Sequence, residues 1–187
     1  AIGAPYNDVN GISSGHVRIY EYRSGSWTQL GDDIGGEAFM DYSGRVSLSS
    51  DGTRVAIGAP YNDGNGTQAG HVRIYEYDGT SWNKLGDDID GEAAFDSSGI
   101  SVSLSSDGSR VAIGAPYNNG NGGASGHVRI YDYNESDWVQ VGSDIDGEAI
   151  GDSSGRSVSL SADKSRVAIG AYLNDGNGVN SGHVRIY

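Results

Sequence analysis

The chain has 187 residues, no cysteine, and 25 acidic against 12 basic side chains, a net charge of −13 at pH 7. That charge repels phosphate backbones and anionic lipid, and no apolar run is long enough to span a bilayer, so neither nucleic acid nor direct membrane insertion is expected; cations and basic surfaces are favoured instead. Without cysteine, disulfides and thiolate metal sites are excluded, and 31 glycines among alternating apolar residues describe a turn-rich β-protein rather than a disordered chain.

The chain opens on Ala1-Ile-Gly-Ala4, a motif that returns at Ala56, Ala112 and Ala168, while His-Val-Arg-Ile-Tyr begins at His16, His71, His127 and His183. Spacings of 55, 56 and 56 residues between copies of the first motif mark a tandem array of one supersecondary unit. Each complete copy of this strand runs into an Asn- and Gly-rich loop, first as Asn7-Asp8-Val9-Asn10-Gly11. In the later copies Asn62, Asp63, Asn65, Asn118, Asn119, Asn121, Asn174, Asp175 and Asn177 are the candidate ligand contacts, because their amides and carboxylates suit a sugar or a peptide. The same residue types close Asx-turns and tolerate left-handed backbone, a role that needs no ligand.

The strand that follows the first loop begins at His16 and carries Tyr20 and Tyr22 as filler between units. One histidine per unit keeps the four histidines apart, so a loop-holding hydrogen bond is expected of each rather than a shared metal. Trp27, Trp82 and Trp138 stand on a fourth, outermost strand, where they pack across its edge or, alternatively, stack on sugar rings.

Beyond that strand come alternating carboxylates. Asp88, Asp90, Glu92 and Asp96 in one unit, and Asp144, Asp146, Glu148 and Asp152 in the next, present hard oxygens with glycine at the bend, a spacing that suits Ca²⁺ and its six to eight oxygen ligands. The first copy keeps Asp33, Glu37 and Asp41, with Gly35 replacing the middle Asp. Calcium is therefore the one candidate cofactor; the alternative is that these residues cap turns and keep the surface soluble.

Ser101-Val-Ser-Leu-Ser105 alternates as a half-buried strand does, and Asp107-Gly108 supplies hairpin chemistry. The next strand, Arg110–Ala115, places Val111, Ile113 and Ala115 on one face and Ala112 and Gly114 on the other. Two apolar faces, one of them small, suit a sheet held between close neighbours. With no helix and four short antiparallel strands per unit, the expected fold is all-β, a β-propeller of about 56-residue four-stranded blades. The strand counts are three, four, four and three, giving three to four blades in a single propeller domain or propeller fragment over residues 1–187, with units starting near 1, 56, 112 and 168. The long connections, residues 60–70 and 87–99, share one sheet edge, so one face of the disc carries most of the loop chemistry.

Gly91-Glu-Ala-Ala-Phe-Asp-Ser-Ser-Gly-Ile-Ser-Val102, then Ser-Asp-Gly, Val-Ala-Ile-Gly-Ala-Pro and Gly-His-Val-Arg-Ile-Tyr, resembles the FG-GAP repeats of integrin-α-like β-propellers, over the whole chain. It departs at Ser43-Gly44, Ser98-Gly99 and Ser154-Gly155, where the family has Phe-Gly. It departs again between strands one and two, where Ser-Ser-Asp-Gly or Ala162-Asp-Lys-Ser165 replaces an Asp-rich calcium loop. The resemblance implies a non-enzymatic extracellular or cell-surface module for adhesion, recognising a protein or glycan through its loop-rich face. The alternatives are a carbohydrate-binding propeller with one site per blade, and a structural segment of a surface protein or filament. Every polar site is copied and no catalytic constellation stands apart, so no enzyme is expected. The partial blades at the two ends leave open edges, from which self-association is expected.

Overall fold

The computed structural model describes residues 1–187, and all of its regular structure is β. No helix is long and apolar enough to cross a membrane. Blade one comprises β1 (Ile2–Ala4), β2 (His16–Arg18), β3 (Tyr20–Arg23), β4 (Ser26–Gln29) and β5 (Ile34–Gly35). Blade two has β6 (Arg45–Leu48), β7 (Arg54–Ala59), β8 (His71–Tyr77), β9 (Trp82–Lys84) and β10 (Ile89–Asp90). Blade three repeats it with β11 (Ser101–Leu104), β12 (Arg110–Ala115), β13 (His127–Tyr133), β14 (Trp138–Gln140) and β15 (Ile145–Asp146). Blade four holds β16 (Ser154–Leu160), β17 (Val167–Ala171) and β18 (His183–Ile186).

All strand pairs are antiparallel, and in blade two β6, β7 and β8 lie in sequence order. The outermost position, expected to hold one strand, is shared by two. Tyr75–Tyr77 pairs with Lys84–Trp82, and Ile89–Asp90 then pairs with Val72–His71. Gly86, at φ 74°, makes the left-handed step between them. Blade three is built in the same way, so the acidic connection expected to be loop from residue 87 onward starts as a strand.

The β6–β7 turn shows why the hairpin forms where it does. Asp51 Oδ1 accepts from the Ser49 hydroxyl, the Thr53 N–H and the Thr53 hydroxyl at 2.7–3.0 Å, and the Arg54 N–H donates to Ser49 Oγ at 2.9 Å. The same bonds recur around Asp107 and Asp163. One carboxylate oxygen thus gathers the turn's own donors and fixes the hairpin.

The core lies between blades. Val55 and Ile57 of β7 face blade one and pack with Val17, Ile19 and Ile34, while Ala56 on the opposite side joins Val72 and Ile74 against Val111 and Ile113 of blade three. Ala112 and Val128 in turn meet Leu160, Val167 and Ile169 of blade four. Each large aliphatic side chain so buried contributes roughly 1.5–3 kcal/mol. The small face is required: a Cβ at Gly3, Gly58 or Gly114 would collide with the carbonyl oxygen of Gly44, Gly99 or Gly155 in the following blade. Polar struts complete the seams. Trp82 Nε1 and Trp138 Nε1 donate to the Leu30 and Leu85 carbonyls of the preceding blade, each at 2.8 Å.

The four blades form an open arc and not a closed disc. Ile2, Val184 and Ile186 are 61%, 68% and 70% exposed, whereas their counterparts Ile57, Val72 and Ile74 are fully buried. What lies open at the two ends is thus a blade face as well as a strand edge.

Candidate functional site

The two long connections of each blade lie side by side and interlock. Phe95, Ser97 and Ser98 N–H groups donate to Thr67, Gln68 and Ala69 carbonyls at 2.8–3.1 Å. The Asn-rich residues do the holding. Asn62, Asn118 and Asn174 are buried and donate from Nδ2 to Asp41, Asp96 and Asp152 of the preceding blade's acidic loop at 2.8–3.1 Å. Their side-chain oxygens accept the N–H of Gly64, Gly120 and Gly176. Asp63, Asn119 and Asp175 accept the N–H of Gln68, Ala124 and Asn180 across each loop. Asn65 and Asn121 donate to the carbonyls of Gly91 and Gly147, and Asn177 is exposed, its N–H given to Ser181 Oγ. Buried struts are a different role from the surface contact expected of Asn62, Asn118 and Asn174, and the cause is that the amide donates to the carboxylate with its nitrogen while accepting from its own loop with its oxygen.

The acidic loops do not gather their four carboxylates at one point. Asp88 stays with its own blade, with Oδ1 2.6 Å from Lys84 Nζ and Oδ2 3.8 Å from His71 Nδ1. Asp90 ends β10, and partial burial beside Asp88 and Glu37 pushes its carboxyl up. Glu92 reaches forward to blade three, and Asp96 is buried, accepting the Ala93 N–H at 3.1 Å besides Asn118. In the next loop Asp144 again faces its own blade's His127, Asp146 lies opposite His127 in β15, Glu148 turns to His183 and Arg185 of blade four, and Asp152 accepts from Ala149 and Asn174. The single-loop calcium geometry expected from the spacing is therefore replaced by two groupings that cross the blade seams, Glu37–His71–Asp88 and Glu92–His127–Asp144.

The histidines differ from expectation too. His71 and His127 are buried, and His71 Nε2 and both ring nitrogens of His127 have no hydrogen-bond partner. Burial first, then Arg73, pulls His71 down to about 4, and burial with Arg129 lowers His127. Both rings are neutral at pH 7, so their 3.7–3.8 Å approach to carboxylates is not an ion pair. In blade one Arg18 folds back onto Asp33 at 2.7–2.9 Å; with Gln29 it holds that carboxyl at about 2.

On the loop face between blades one and two lies an aromatic cleft. Tyr6, Tyr42 and Tyr61 form a ladder of edge-to-face contacts with ring centroids 5.4 and 5.2 Å apart. Beside it Phe39, Met40, Tyr42, Tyr61, Asp63, Thr67 and Gln68 line a cleft of about 380 Å³. Phe39 and Met40 are exposed, as are Phe95 and Ile150 at the following loop tips. Met40 and Phe95 hold left-handed backbone, at φ 61° and 71°, where the next copy has Gly151. The left-handed step therefore belongs to the loop in each copy, and the bulky side chains that Met40 and Phe95 carry there stand outside the core. Tyr42 is not among the residues that the repeat pattern singles out. The signal was its departure from the repeat, since Ser97 and Ser153 occupy the same position in later copies.

A profile of the FG-GAP repeat matches residues 143–187. Among solved structures the chain is similar to TolB from Acinetobacter baumannii, at TM-score 0.50 and 16% identity over 92% of this chain and 37% of that one. It is also similar to Kuenenia stuttgartiensis hydrazine synthase, at TM-score 0.48 and 16% identity over 87% of this chain and 49% of that one. The TolB match shows the β-propeller fold alone, and this chain spans little more than a third of its length. No curated protein sequence matches the chain.

Proposed function

From the premise that residues 143–187 are an FG-GAP repeat and that their pattern recurs in every unit, we propose that this β-propeller module is a non-enzymatic binding domain. It recognises a protein or glycan at the cell surface or outside the cell. The observation that carries this reading is the Tyr6–Tyr42–Tyr61 ladder beside a cleft lined by Phe39, Met40, Tyr42 and Tyr61 together with the polar Asp63, Thr67 and Gln68. Flat aromatic faces with a few polar groups suit the apolar face of a sugar ring or an extended peptide. Tyr42 has serine in the other copies, which favours one principal site over one equivalent site per blade.

Binding of the intact chain to a glycan array and to a panel of purified extracellular-matrix proteins tests the reading. A ligand is expected whose affinity falls roughly tenfold, about 1.4 kcal/mol, in Tyr42→Ser. The reading fails if neither panel yields a ligand, or if binding is indifferent to Tyr42→Ser. Stoichiometry distinguishes a single cleft from a lectin with a site on each blade.

A further inference from the structure

We propose that Glu92, His127 and Asp144 form an interblade site for a divalent transition cation of the zinc class. Glu92 comes from the loop leaving blade two, His127 from the first residue of β13 and Asp144 from the turn before β15. One ligand atom of each lies within 4.8 Å of the other two. His127 Nδ1 is 3.8 Å from Glu92 Oε2 and 3.7 Å from Asp144 Oδ2. Those distances exceed the roughly 2.7–3.2 Å of an N–H···O hydrogen bond. They approach the separation of roughly 3.4 Å that a tetrahedral centre with bonds of about 2.1 Å imposes on its ligands.

The second observation is the imidazole itself. His127 is 1% exposed and has no hydrogen-bond partner on either nitrogen, although buried polar groups are ordinarily paired. Its Nδ1 lies 3.8 and 3.7 Å from oxygens of two carboxylates, whose mutual repulsion a cation held between the three groups would relieve. Glu92 and Asp144 are partly exposed, which leaves a path of entry and room for water as a fourth ligand. One nitrogen and two carboxylates suit zinc better than calcium, which takes six to eight oxygens.

The cluster one blade earlier has the same shape with a weaker field. Lys84 Nζ is 2.6 Å from Asp88 Oδ1, whereas the neutral Gln140 amide donates to Asp144 Oδ1 at 2.7 Å. Arg73 Nη1 is 3.1 Å from Glu37 Oε1, and Arg129 Nη1 stands 3.7 Å from Glu92 Oε1. Two close cations neutralise the first pair of carboxylates and one more distant cation the second, so the negative excess favours Glu92–His127–Asp144. His127 Nε2 lacks the outer partner that tightens zinc–histidine centres, so a Kd on the order of micromolar is expected.

Calorimetric titration of the intact chain with zinc chloride tests the site, with cobalt(II) absorption as the report of tetrahedral geometry. One site per chain is expected, insensitive to millimolar calcium. Glu92→Gln and Gln140→Lys, both at accessible positions, should each weaken binding roughly tenfold with the β-sheet circular dichroism retained. Lys84→Gln should raise the first cluster into a second measurable site. His127→Ala should abolish binding; if that variant does not fold, the two surface variants decide. No binding at millimolar zinc, binding unchanged in Glu92→Gln and Gln140→Lys, or displacement by calcium would each overturn the proposal.

Discussion

Asp107 illustrates how one carboxylate serves a turn and a seam together. It accepts from Ser105 and Ser109 within the hairpin, and Lys164 of blade four reaches it at 2.8 Å. Lys164 and these donors push its carboxyl below the usual range, and the equivalent bonds hold Asp163 at about 2. A carboxylate whose folded value is depressed adds stability that is complete above its unfolded value near 3.9 and is lost as pH falls through the folded one. The thermal midpoint is therefore expected to decline between about pH 4 and pH 2. Asp107→Asn should lower stability at pH 7 and flatten that acid limb. The Asp107 side chain is more than half exposed, so solvent screening holds the share of its ion pair to about 1 kcal/mol. Midpoints by circular dichroism across this range measure both effects, and an acid limb of unchanged steepness in the variant would count against the turn.

The second strand of each blade is the element on which stacking depends. Its large side chains face one neighbour and its glycine lets the other neighbour's backbone approach within contact. Gly58→Ala or Gly114→Ala forces a methyl into the Gly99 or Gly155 carbonyl, and a loss on the order of 2–3 kcal/mol is expected. Gly123 faces nearly open space and has no left-handed φ, so Gly123→Ala should be neutral or slightly stabilising. Urea midpoints of the three variants separate the collision from a general cost of replacing glycine; equal losses at all three positions would refute the close-approach account.

At the scale of the molecule, the arc presents complementary faces at its two ends. Blade one exposes Ile2 and Trp27, and blade four exposes Val184 and Ile186. Each is the counterpart of a side that is packed in the interior seams, so blade four of one copy offers blade one of another the interface already built three times within the chain. Such a contact is heterologous, so copies joined by it form a ring where the blade rotation closes and a filament where it does not. Concentration-dependent association is the expected behaviour, read by light scattering, and Ile186→Glu should weaken it. A strict monomer at high concentration would remove self-association as a property of this chain.

The repeat, the β class, the blade register and the hairpin turns were all legible in the sequence, because each is dictated locally: alternating side chains choose the buried faces, Asp-Gly chooses the turn, and a period of 55–56 residues sets the blade. The two faces of Arg110–Ala115 could be assigned for the same reason. The partners of the acidic loops could not. Spacing along one loop suggested that Asp88, Asp90, Glu92 and Asp96 meet, yet blade stacking sends Asp88 back to His71, Glu92 forward to His127, and Asp96 beneath Asn118. Nor could spacing show that Tyr6, Tyr42 and Tyr61, from two blades, form one ladder. The chain alone determined what each blade is; which side chains meet across the seams was decided by the angle and separation at which one twisted sheet packs on the next.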